Sequence, residues 1–406
     1  MVIIEGLPAG LPITVEQIGR ELARRRLGFG RGPRMKFEAD EITLLAGVRH
    51  GFTLGSPIAI EIGNSEWEKK WTEEMSPHPG ETSQKLTTPR PGHADLTGMQ
   101  KYAFDDARNV LERASARETA ARVAAGAVAK ALLATIGTEV GSHVIALGGV
   151  RASTEARPGP GGFAPVDESE VRCLDAAAEA AMLDAIRAAQ KAGDSLGGVV
   201  EVVAHGVPIG LGSHVHWDRR LDGLLAQALL SIQAVKGVEI GDGFDVAGRP
   251  GSEAHDPIVW DAETSTYRRL SANAGGIEGG MSTGEVLVAH VAMKPLATLN
   301  RPVLATVDTA TKEAGVSFRE RTDVTAVPAM GVVAEAMAAL VLANECLRKF
   351  GGDSLREFTR NHETFAAQVR EQTSRIDIDA ATDPDAVPLN WDAGQAFTVD
   401  ADASDA

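Results

Sequence analysis

The chain has 406 residues, 44% of them hydrophobic, and can therefore bury a large core in one or two domains. Its formal net charge of −16 argues against the basic surface that general nucleic-acid binding requires, so we expect no nucleic-acid partner. The two cysteines, Cys173 and Cys346, are isolated and favour a reducing cytoplasm. No apolar run of membrane-spanning length and no signal peptide stand out, so we also expect no membrane partner and a cytoplasmic location.

The N-terminal segment combines a strand, a helix and a basic cluster. Met1–Gly6 reads as the end of a strand already under way, and Thr14 caps a predicted helix from Val15 to about Arg26. Arginines then alternate with glycines over Arg24–Arg34, where side chains and bare backbone N–H groups can together hold an anion. The alternative is a solvated helix end whose arginines only complement the helix dipole.

Strands and a long polar excursion are predicted next. Glu41–Ile62 alternates apolar and polar residues around the turn Arg49-His50-Gly51, which predicts strands on both sides of that turn. Asn64–Thr88 is polar apart from Trp67 and Trp71, and we interpret it as an excursion or lid.

A rigid loop with a histidine follows the excursion. In Arg90-Pro91-Gly92-His93-Ala94-Asp95, proline and glycine fix the backbone just before His93. A histidine held in this way suits acid–base chemistry near neutral pH. The alternative is a histidine with a structural role or an exposed one.

The chain is organised around an alanine-rich helix. Ser115 followed by Glu118 has the S-x-x-E spacing of a capping box, and strong helix formers continue to about Leu133. Arg113 and Arg117 are four residues apart and would share a face beside the free N–H groups at the helix mouth, which favours a phosphate site. The alternative is an ordinary capped core helix with a surface pair of arginines.

Two histidines form an H-x-H pattern at His214 and His216, on a predicted strand end. Both imidazoles would lie on one strand face, an arrangement that can hold a metal. Two histidines fall short of a ligand set, so His93 or His255 would have to join them.

Glycine-rich segments lie between regular elements in the second half of the chain. Gly141–Val150 and Gly197–Gly212 show the period-two pattern of strands, and Leu174–Lys191 has helical spacing. Bare backbone recurs in Ser231–Gly243 and Asn273–Met281, which suggests a flat, polar-edged ligand such as a flavin lying against main chain. Turns alone can explain either segment.

The C-terminal third is predicted to bring a strand and a helix to further polar residues. Strand Val286–Met293 leads to Lys294, and a helix is predicted from about Met330 to Leu347. Just before that helix stands Asp323 beside Arg321, a pair that can also be a plain ion pair.

Six motifs occur in a fixed order along the chain. They are Arg24–Gly32, Arg90–Asp95, Glu112–Thr119, Ser231–Phe244, Gly275–Gly284 and Arg321–Val324. No single motif is sufficient, but the set is specific: from Val2 to about Asn361 the chain resembles the chorismate synthase family.

The resemblance implies an activity and a cofactor. The family contains carbon–oxygen lyases that convert 5-enolpyruvylshikimate 3-phosphate (EPSP) to chorismate, the last step of the shikimate pathway of aromatic amino acid biosynthesis, by 1,4-anti elimination of phosphate and a C6 hydrogen. It requires reduced FMN without net redox change, so the flavin would act as a transient electron donor and proton acceptor. A homotetramer is also implied. The sequence leaves open whether NADPH reduces the flavin on this chain or an external flavin reductase supplies it.

The resemblance also assigns roles to residues of this chain, none of them as a metal ligand. His93 matches a catalytic histidine that serves the reduced flavin as a proton donor, and Asp323 matches an aspartate that helps the flavin N5 accept the C6 proton. The residues that match substrate-binding positions are Arg25, Arg31, Arg90, Ser115, Arg117 and Arg321. Those that match flavin-binding positions are Arg25, Arg31, Arg113, Ala114, Ser115, Gln233, Ala234, Gly279, Gly280, Lys294, Pro295, Leu296, Ala297, Thr298 and Arg321.

The fold implied by the resemblance is α+β, a sandwich of antiparallel β-sheets flanked by helices, with an internal pseudo-repeat. Residues 1–373 would form a single domain that lacks the family's first strand. Residues 374–406 are acidic with little apolar periodicity, and we expect this tail to be disordered.

One departure from the family pattern leads to three hypotheses. The family opens with a strand and a Gly-Glu-Ser-His-Gly motif, and this chain begins after them, so we expect that its start was misassigned and that it is a flavin-dependent lyase. A second hypothesis is a truncated form that binds FMN and substrate but is catalytically impaired. A third is a metal-dependent hydrolase that uses His214 and His216 together with His93.

Overall fold

The computed structural model describes residues 1–32, 40–64, 67, 71–80, 82, 84–153, 156–318 and 322–374. Within these ranges the helices are α1 (Val15–Arg26), α2 (Thr72–Glu74), α3 (Asp95–Tyr102), α4 (Arg108–Leu111), α5 (Thr119–Ala134), α6 (Ala164–Glu168), α7 (Ala176–Ala192), α8 (Leu221–Leu230), α9 (Gly243–Val246), α10 (Gly251–Ala254), α11 (Val327–Phe350) and α12 (Leu355–Ser374). The strands are β1 (Val2–Ile4), β2 (Ile42–Ala46), β3 (Val48–Arg49), β4 (Phe52–Thr53), β5 (Ile58–Ile62), β6 (Glu139–Leu147), β7 (Val150–Arg151), β8 (Gly198–His205), β9 (Val235–Ile240), β10 (Ile258–Asp261), β11 (Thr266–Arg269), β12 (Ile277–Glu278), β13 (Met281–Ser282), β14 (Leu287–Met293), β15 (Ala305–Val307) and β16 (Ala314–Val316).

A three-stranded antiparallel sheet forms one outer layer, in the order β1-β5-β2. Val2 pairs with Ile60, and Ile42 pairs with Ile62. The predicted strands on either side of His50 and the predicted N-terminal strand are therefore confirmed. β3 and β4 form a tight hairpin around that turn, where His50 adopts a φ of 51°.

A five-stranded antiparallel sheet forms the opposite layer, in the order β7-β6-β8-β14-β9. In this sheet Val144 pairs with Val200, and Val200 pairs in turn with Val291. The period-two patterns predicted these strands correctly, although β8 ends at His205, before the predicted Gly212. Branched side chains such as Val200 are buried here, as expected of strands that a helical layer covers.

Three helices, α1, α5 and α11, lie between the two sheets. α5 contacts the small sheet through β1 and β5, whereas α11 covers β6 and β8 of the large one. The predicted α+β class with antiparallel sheets is confirmed, and the structure adds that the central helices lie inside the sandwich. A Cβ added at Gly126 of α5 would lie 2.3 Å from the Cβ of Ala336 in α11, so these two helices approach too closely for any larger side chain.

Helix α11 is longer and more apolar than the sequence suggested. It runs from Val327 to Phe350, with Pro328 in its first turn. By length and composition alone it is apolar enough to cross a membrane, so the expectation that no apolar run reaches that length is wrong. However, 78% of its most apolar 18-residue window is buried inside the protein, as in the core helix of the sandwich.

A cluster of buried charges holds the helical layer together, and we call it the Glu335 cluster. Glu335 of α11 has no exposed side-chain surface and lies 2.6 Å from Arg24 Nη1, 2.5 Å from Lys130 Nζ and 2.8 Å from Arg172 Nη2. Ser142 Oγ donates a further hydrogen bond of 2.7 Å. Burial opposes ionisation, but the three cations together lower the pKa of Glu335. The cluster ties α1, α5 and the large sheet to one carboxylate.

Other predicted helices and segments have mixed outcomes. Thr14 and Gln17 form a capping box, and α1 ends at Arg26 as expected. The helix predicted at 174–191 is confirmed as α7, with Asp175 as its N-cap. The predicted disordered tail lies outside the described residues except for Ser374, the end of α12. The single domain, the pseudo-repeat and the tetramer stay predictions.

Candidate active site

The end of α1 turns sharply into a glycine-containing loop that delivers Arg31. Gly30 has a φ of 84°, and a Cβ placed there would lie 2.8 Å from a methyl carbon of Ile186, so only glycine fits. The turn places Gly32 and Arg31 against Asp323, far away in sequence. One Asp323 oxygen accepts a hydrogen bond from the Gly32 backbone N–H (2.6 Å), and the other forms an ion pair with the Arg31 guanidinium, 2.9 Å from Nε. Both oxygens of this carboxylate are therefore held.

His93 belongs to a compact group of three side chains in the predicted rigid loop. The buried carboxylate of Asp95 accepts hydrogen bonds from Arg90 Nε (2.9 Å) and Nη2 (3.1 Å), from the Arg90 backbone N–H (3.1 Å) and from His93 Nδ1 (2.5 Å). Burial opposes ionisation, but the bonds from His93 and Arg90 lower the pKa of Asp95 well below its usual range. Because Nδ1 carries the proton shared with Asp95, Nε2 is the ring nitrogen with a lone pair, and Arg90 Nη2 lies 3.2 Å from it.

Two further contacts hold this loop from outside. Arg90 Nη1 donates to Thr298 Oγ1 at 3.0 Å, and Lys294 Nζ donates to the Gly92 carbonyl at 2.6 Å. Burial, together with the nearby Lys236, lowers the pKa of Lys294. The segment after β14 therefore fixes the histidine loop.

The mouth of the alanine-rich helix differs from the prediction. Ser115 Oγ accepts a hydrogen bond of 3.3 Å from the Arg117 N–H and caps a short 3₁₀ turn, Ala116–Glu118, and α5 begins only at Thr119. The predicted capping box is wrong, because the Glu118 carboxylate is bonded to Arg122 and Gln233 rather than to Ser115.

The two arginines of this segment also separate. Arg117 Nη1 lies 2.6 Å from Asp40 Oδ1, and Nη2 donates to the Gly63 carbonyl at 2.8 Å. Arg113 is exposed in the turn before the 3₁₀ segment. The prediction that both share one helix face is therefore wrong, since no helix connects them.

These segments surround one cavity of about 520 Å³. Arg25, Arg31, Arg90, Arg117 and Lys294 bring positive charge to its wall. Small and apolar side chains make up much of the remaining wall, namely Ala94, Leu111, Ala114, Ala116, Ile232, Ala234, Met293, Leu296, Ala297, Ala326, Ala329, Met330 and Val333. The arrangement suits a ligand, or two ligands together, that combine a flat apolar body with several negative charges.

Comparison with known proteins identifies the family to which this sequence and fold are similar. The sequence pattern that defines the chorismate synthase family matches residues 1–347. The chain is 58% identical to the chorismate synthase of Nocardioides sp. (strain JS614) over 91% of this chain and 95% of that protein. It is 57% identical to that of Streptomyces coelicolor over 92% and 95%. A crystal structure of a chorismate synthase superposes with a TM-score of 0.71 at 40% identity, covering 91% of this chain and 94% of that one.

The chain belongs to the chorismate synthase family.

Most of the residues that match chorismate synthase binding positions meet at this cavity. Arg321 lies outside the described residues, and the roles of all the others stay predictions. Those that line the cavity are Arg25, Arg31, Arg90, His93, Ala114, Ser115, Arg117, Gln233, Ala234, Lys294, Leu296, Ala297, Thr298 and Asp323. Those that do not line it are Arg113, Gly279, Gly280 and Pro295. Gly280 instead packs beside Arg220, where a Cβ would lie 2.7 Å from that side chain.

The cavity also contains a feature that fits the flavin implied by the family resemblance. The side-chain oxygen Oε1 of Gln233 is shielded from solvent and forms no hydrogen bond with the described residues. A buried acceptor of this kind indicates a partner supplied by a ligand. The apolar walls offer a surface for a flat ring system, and the arginines offer partners for a phosphate.

Several residues that shape the site were missed by reasoning on the sequence. Three acids, Asp95, Asp40 and Glu118, were not proposed as site residues. Each accepts a hydrogen bond from a side chain that lines the cavity, namely Arg90, Arg117 and Gln233 in that order. Asp95 ends the histidine motif and was the easiest of the three to find. Trp71, from the predicted excursion, forms part of the wall, with the Arg108 guanidinium 5.6 Å from its ring.

The structure gives no support to the predicted metal pair. His214 and His216 are exposed and lie in a loop before the 3₁₀ turn Trp217–Arg219, not on a strand end as predicted. Neither residue lines the cavity that contains His93. Throughout the described part of the chain, no group of three His, Cys, Asp or Glu residues is placed to hold a metal ion.

Proposed function

We propose that this chain catalyses the last step of the shikimate pathway, in which EPSP loses phosphate and a C6 hydrogen to give chorismate. Membership of the chorismate synthase family supports this reaction. The observation that carries it is the cavity whose wall contains Arg25, Arg31, Arg90 and Arg117. EPSP bears one phosphate and two carboxylates, and arginine forks bind such groups with paired hydrogen bonds.

We propose reduced FMN as the cofactor of this site. When bound, it supplies a transient electron to the substrate and receives the C6 proton, as the family resemblance implies. The residues that would hold it are Ala114, Ser115, Gln233, Ala234, Lys294, Leu296, Ala297 and Thr298, all of which line the cavity. The small alanine side chains leave room for a ring, and Lys294 contributes positive charge.

The acid–base groups of this reaction are His93 and Asp323, two side chains whose orientation is fixed by neighbouring residues. Asp95 holds the proton on Nδ1 of His93, so His93 can take up and release a proton at Nε2. Asp323 can assist a proton transfer because the Gly32 N–H and Arg31 hold its carboxylate in one orientation. Asp95 is a positioning residue, since it acts through Arg90 and His93.

An anaerobic assay of the 406-residue chain with chemically reduced FMN and EPSP, followed by chorismate absorbance, tests the proposal. With the family's Gly-Glu-Ser-His-Gly segment added ahead of Met1, we expect turnover at about 1 s⁻¹ or faster, a rate typical of enzymes. Turnover at that rate by the 406-residue chain alone would show that the histidine of this segment is dispensable. We expect none with oxidised FMN, and no loss on addition of a chelator. Binding of FMN and EPSP without turnover would support the catalytically impaired form instead. Phosphate release that a chelator abolishes would support the hydrolase.

The same assay separates the two possible sources of reduced flavin. Oxidised FMN and NADPH would yield chorismate only if the chain reduces its own flavin; otherwise an added flavin reductase is required. The homotetramer, which sedimentation equilibrium would test, and the cytoplasmic location are the further expectations of this proposal.

A further inference from the structure

Gln233 lies in the short loop that joins α8 to β9 and lines the cavity. Its Nε2 donates a hydrogen bond of 2.8 Å to Glu118 Oε2. Its Oε1 is buried, and among the described residues it meets no donor. A buried carbonyl oxygen without a hydrogen bond destabilises the fold. A ligand that donates a hydrogen bond to this oxygen would remove that cost, and its affinity would increase.

The orientation of this amide is set by Glu118. Burial opposes ionisation of Glu118, but hydrogen bonds from Gln233 and Arg122 lower its pKa, so the group is a carboxylate at neutral pH. A carboxylate only accepts hydrogen bonds. If the Gln233 amide flipped, two oxygens would face each other, so Nε2 must point to Glu118 and Oε1 is left for a ligand.

The surrounding backbone is also held in place. Arg122 bonds Glu118 through Nε, at 3.0 Å from each oxygen, and donates from Nη1 to Ser231 Oγ at 2.8 Å, two residues before Gln233. Ala234 adopts a φ of 66°, a left-handed conformation unfavourable for a residue with a Cβ. Its carbonyl accepts the Lys294 N–H at 2.9 Å. Strain that the surrounding contacts maintain at a cavity wall is typical of a binding site.

We propose that Glu118 positions the Gln233 amide so that Oε1 accepts a hydrogen bond from a ring N–H of the flavin. This inference rests on the proposed function. EPSP offers mainly acceptors, since its phosphate and carboxylates carry no donor at neutral pH. The flavin ring carries an N–H at N3 in both redox states and a second one at N5 when it is reduced. Gln233 is thus a binding residue for the ring edge, and Glu118 is a positioning residue.

Anaerobic binding titrations with three flavins test the proposal. FMN has every ring donor, 3-methyl-FMN lacks the N3–H, and reduced 5-deaza-FMN lacks the N5–H. Dissociation constants would be measured by fluorescence or calorimetry for the wild type, Gln233→Met and Glu118→Gln. Gln227→Met, at an exposed glutamine six residues upstream in α8, is the matched control.

We expect the wild type to bind at least one analogue about tenfold or more weakly than FMN of the same redox state, because the analogue leaves a buried acceptor unsatisfied. Gln233→Met should bind FMN more weakly and reduce the discrimination to about twofold or less, since the acceptor is gone. Glu118→Gln should show intermediate discrimination, because an amide at position 118 accepts either orientation of Gln233. Gln227→Met should behave as wild type.

Three outcomes would overturn parts of the argument separately. Equal discrimination in the wild type and Gln233→Met, for both analogues, would reject Gln233 as the acceptor while leaving the flavin role intact. Full discrimination in Glu118→Gln would reject the positioning role. A wild-type chain that binds no FMN, oxidised or reduced, would reject the proposed cofactor and this inference together.

Discussion

Arg24 and Arg25 are consecutive residues of α1, yet they serve two regions of opposite organisation. Arg24 enters the Glu335 cluster, where every charged group meets other protein groups inside the core. Arg25 is also buried, but it lines the 520 Å³ cavity. Successive side chains of a helix point about 100° apart, so one helix end can supply both regions.

The carboxylates have different roles in the two regions. Glu335 is the fully buried carboxylate that three cations share, and Glu21 and Asp167 supply the remaining negative charge, so the cluster contributes to folding. At the cavity, Asp95 and Asp323 each hold one arginine whose side chain borders open volume, so they orient groups for a ligand. An acid beside an arginine is therefore structural where protein groups surround the pair, and functional where the arginine lines a cavity. Removing an acid should therefore affect stability in one region and activity in the other.

The largest expected effect is on stability, for Glu335→Gln. The substitution leaves Arg24, Lys130 and Arg172 without their shared carboxylate, and breaking buried pairs in this way costs about 3–5 kcal/mol. Urea denaturation would measure the loss. Asp184→Asn is the control, because Asp184 pairs with Arg187 on the surface and such pairs contribute about 0–1 kcal/mol. Similar unfolding midpoints for the two variants would show that Glu335 is no more important for folding than a surface carboxylate.

The next effect is on catalysis, for Asp95→Asn. Arg90 and His93 would lose the carboxylate that orients them, and we expect kcat to fall about a hundredfold or more, the range of a mispositioned acid–base residue. Circular dichroism would verify folding, and the chorismate assay would give kcat and KM. Asp105→Asn, at an exposed pair with Lys85, should leave kcat unchanged. A wild-type kcat in Asp95→Asn would show that this carboxylate has no role in positioning.

A smaller effect on stability is expected for Gly126→Ala, at the close contact between α5 and α11. Gly126→Ala would force a Cβ against the Ala336 backbone, and overpacking of this kind costs about 1–3 kcal/mol. Gly223→Ala in α8 is the matched control, since the nearest atom to its Cβ would be 3.9 Å away and the gain in helix propensity is about 1 kcal/mol. Thermal unfolding should move in opposite directions for the two variants. Stabilisation by both would mean that the helices can separate without cost.

The smallest effect is a pH dependence of the stability that Glu335 contributes. The pKa of Glu335 is lower in the folded chain than its usual value near 4.5, so its ionisation stabilises the fold above that value and the contribution is lost as pH falls further. The stability difference between the wild type and Glu335→Gln should therefore shrink below pH 4.5, by at most about 1.4 kcal/mol per pH unit. Urea titrations at several pH values would measure it. A difference that grows on acidification would contradict the direction of the shift.

Local patterns in the sequence were sufficient for many elements. The Thr14 cap, the helix that ends at Arg26 and the alternating strands all depend on residues within a few positions of each other. Such interactions are readable from spacing because helix and strand periods are fixed. The motif order also pointed to His93, Asp323 and six arginines. Four of these arginines, Arg25, Arg31, Arg90 and Arg117, line one cavity with His93 and Asp323, whereas Arg113 does not line it and Arg321 lies outside the described residues.

Tertiary structure decided the partners of the charged groups. Gly32 and Asp323 are 291 residues apart, and Glu335 meets Arg24 across 311 residues, separations that no periodicity encodes. Glu118 has the spacing of a capping box. In the structure, however, its carboxylate accepts hydrogen bonds from the Gln233 amide, 115 residues away, and from the Arg122 guanidinium. A carboxylate inside the protein binds whichever donors the fold brings within reach, so its role depends on packing. Local sequence patterns therefore show that a carboxylate is present, but not which donors it binds.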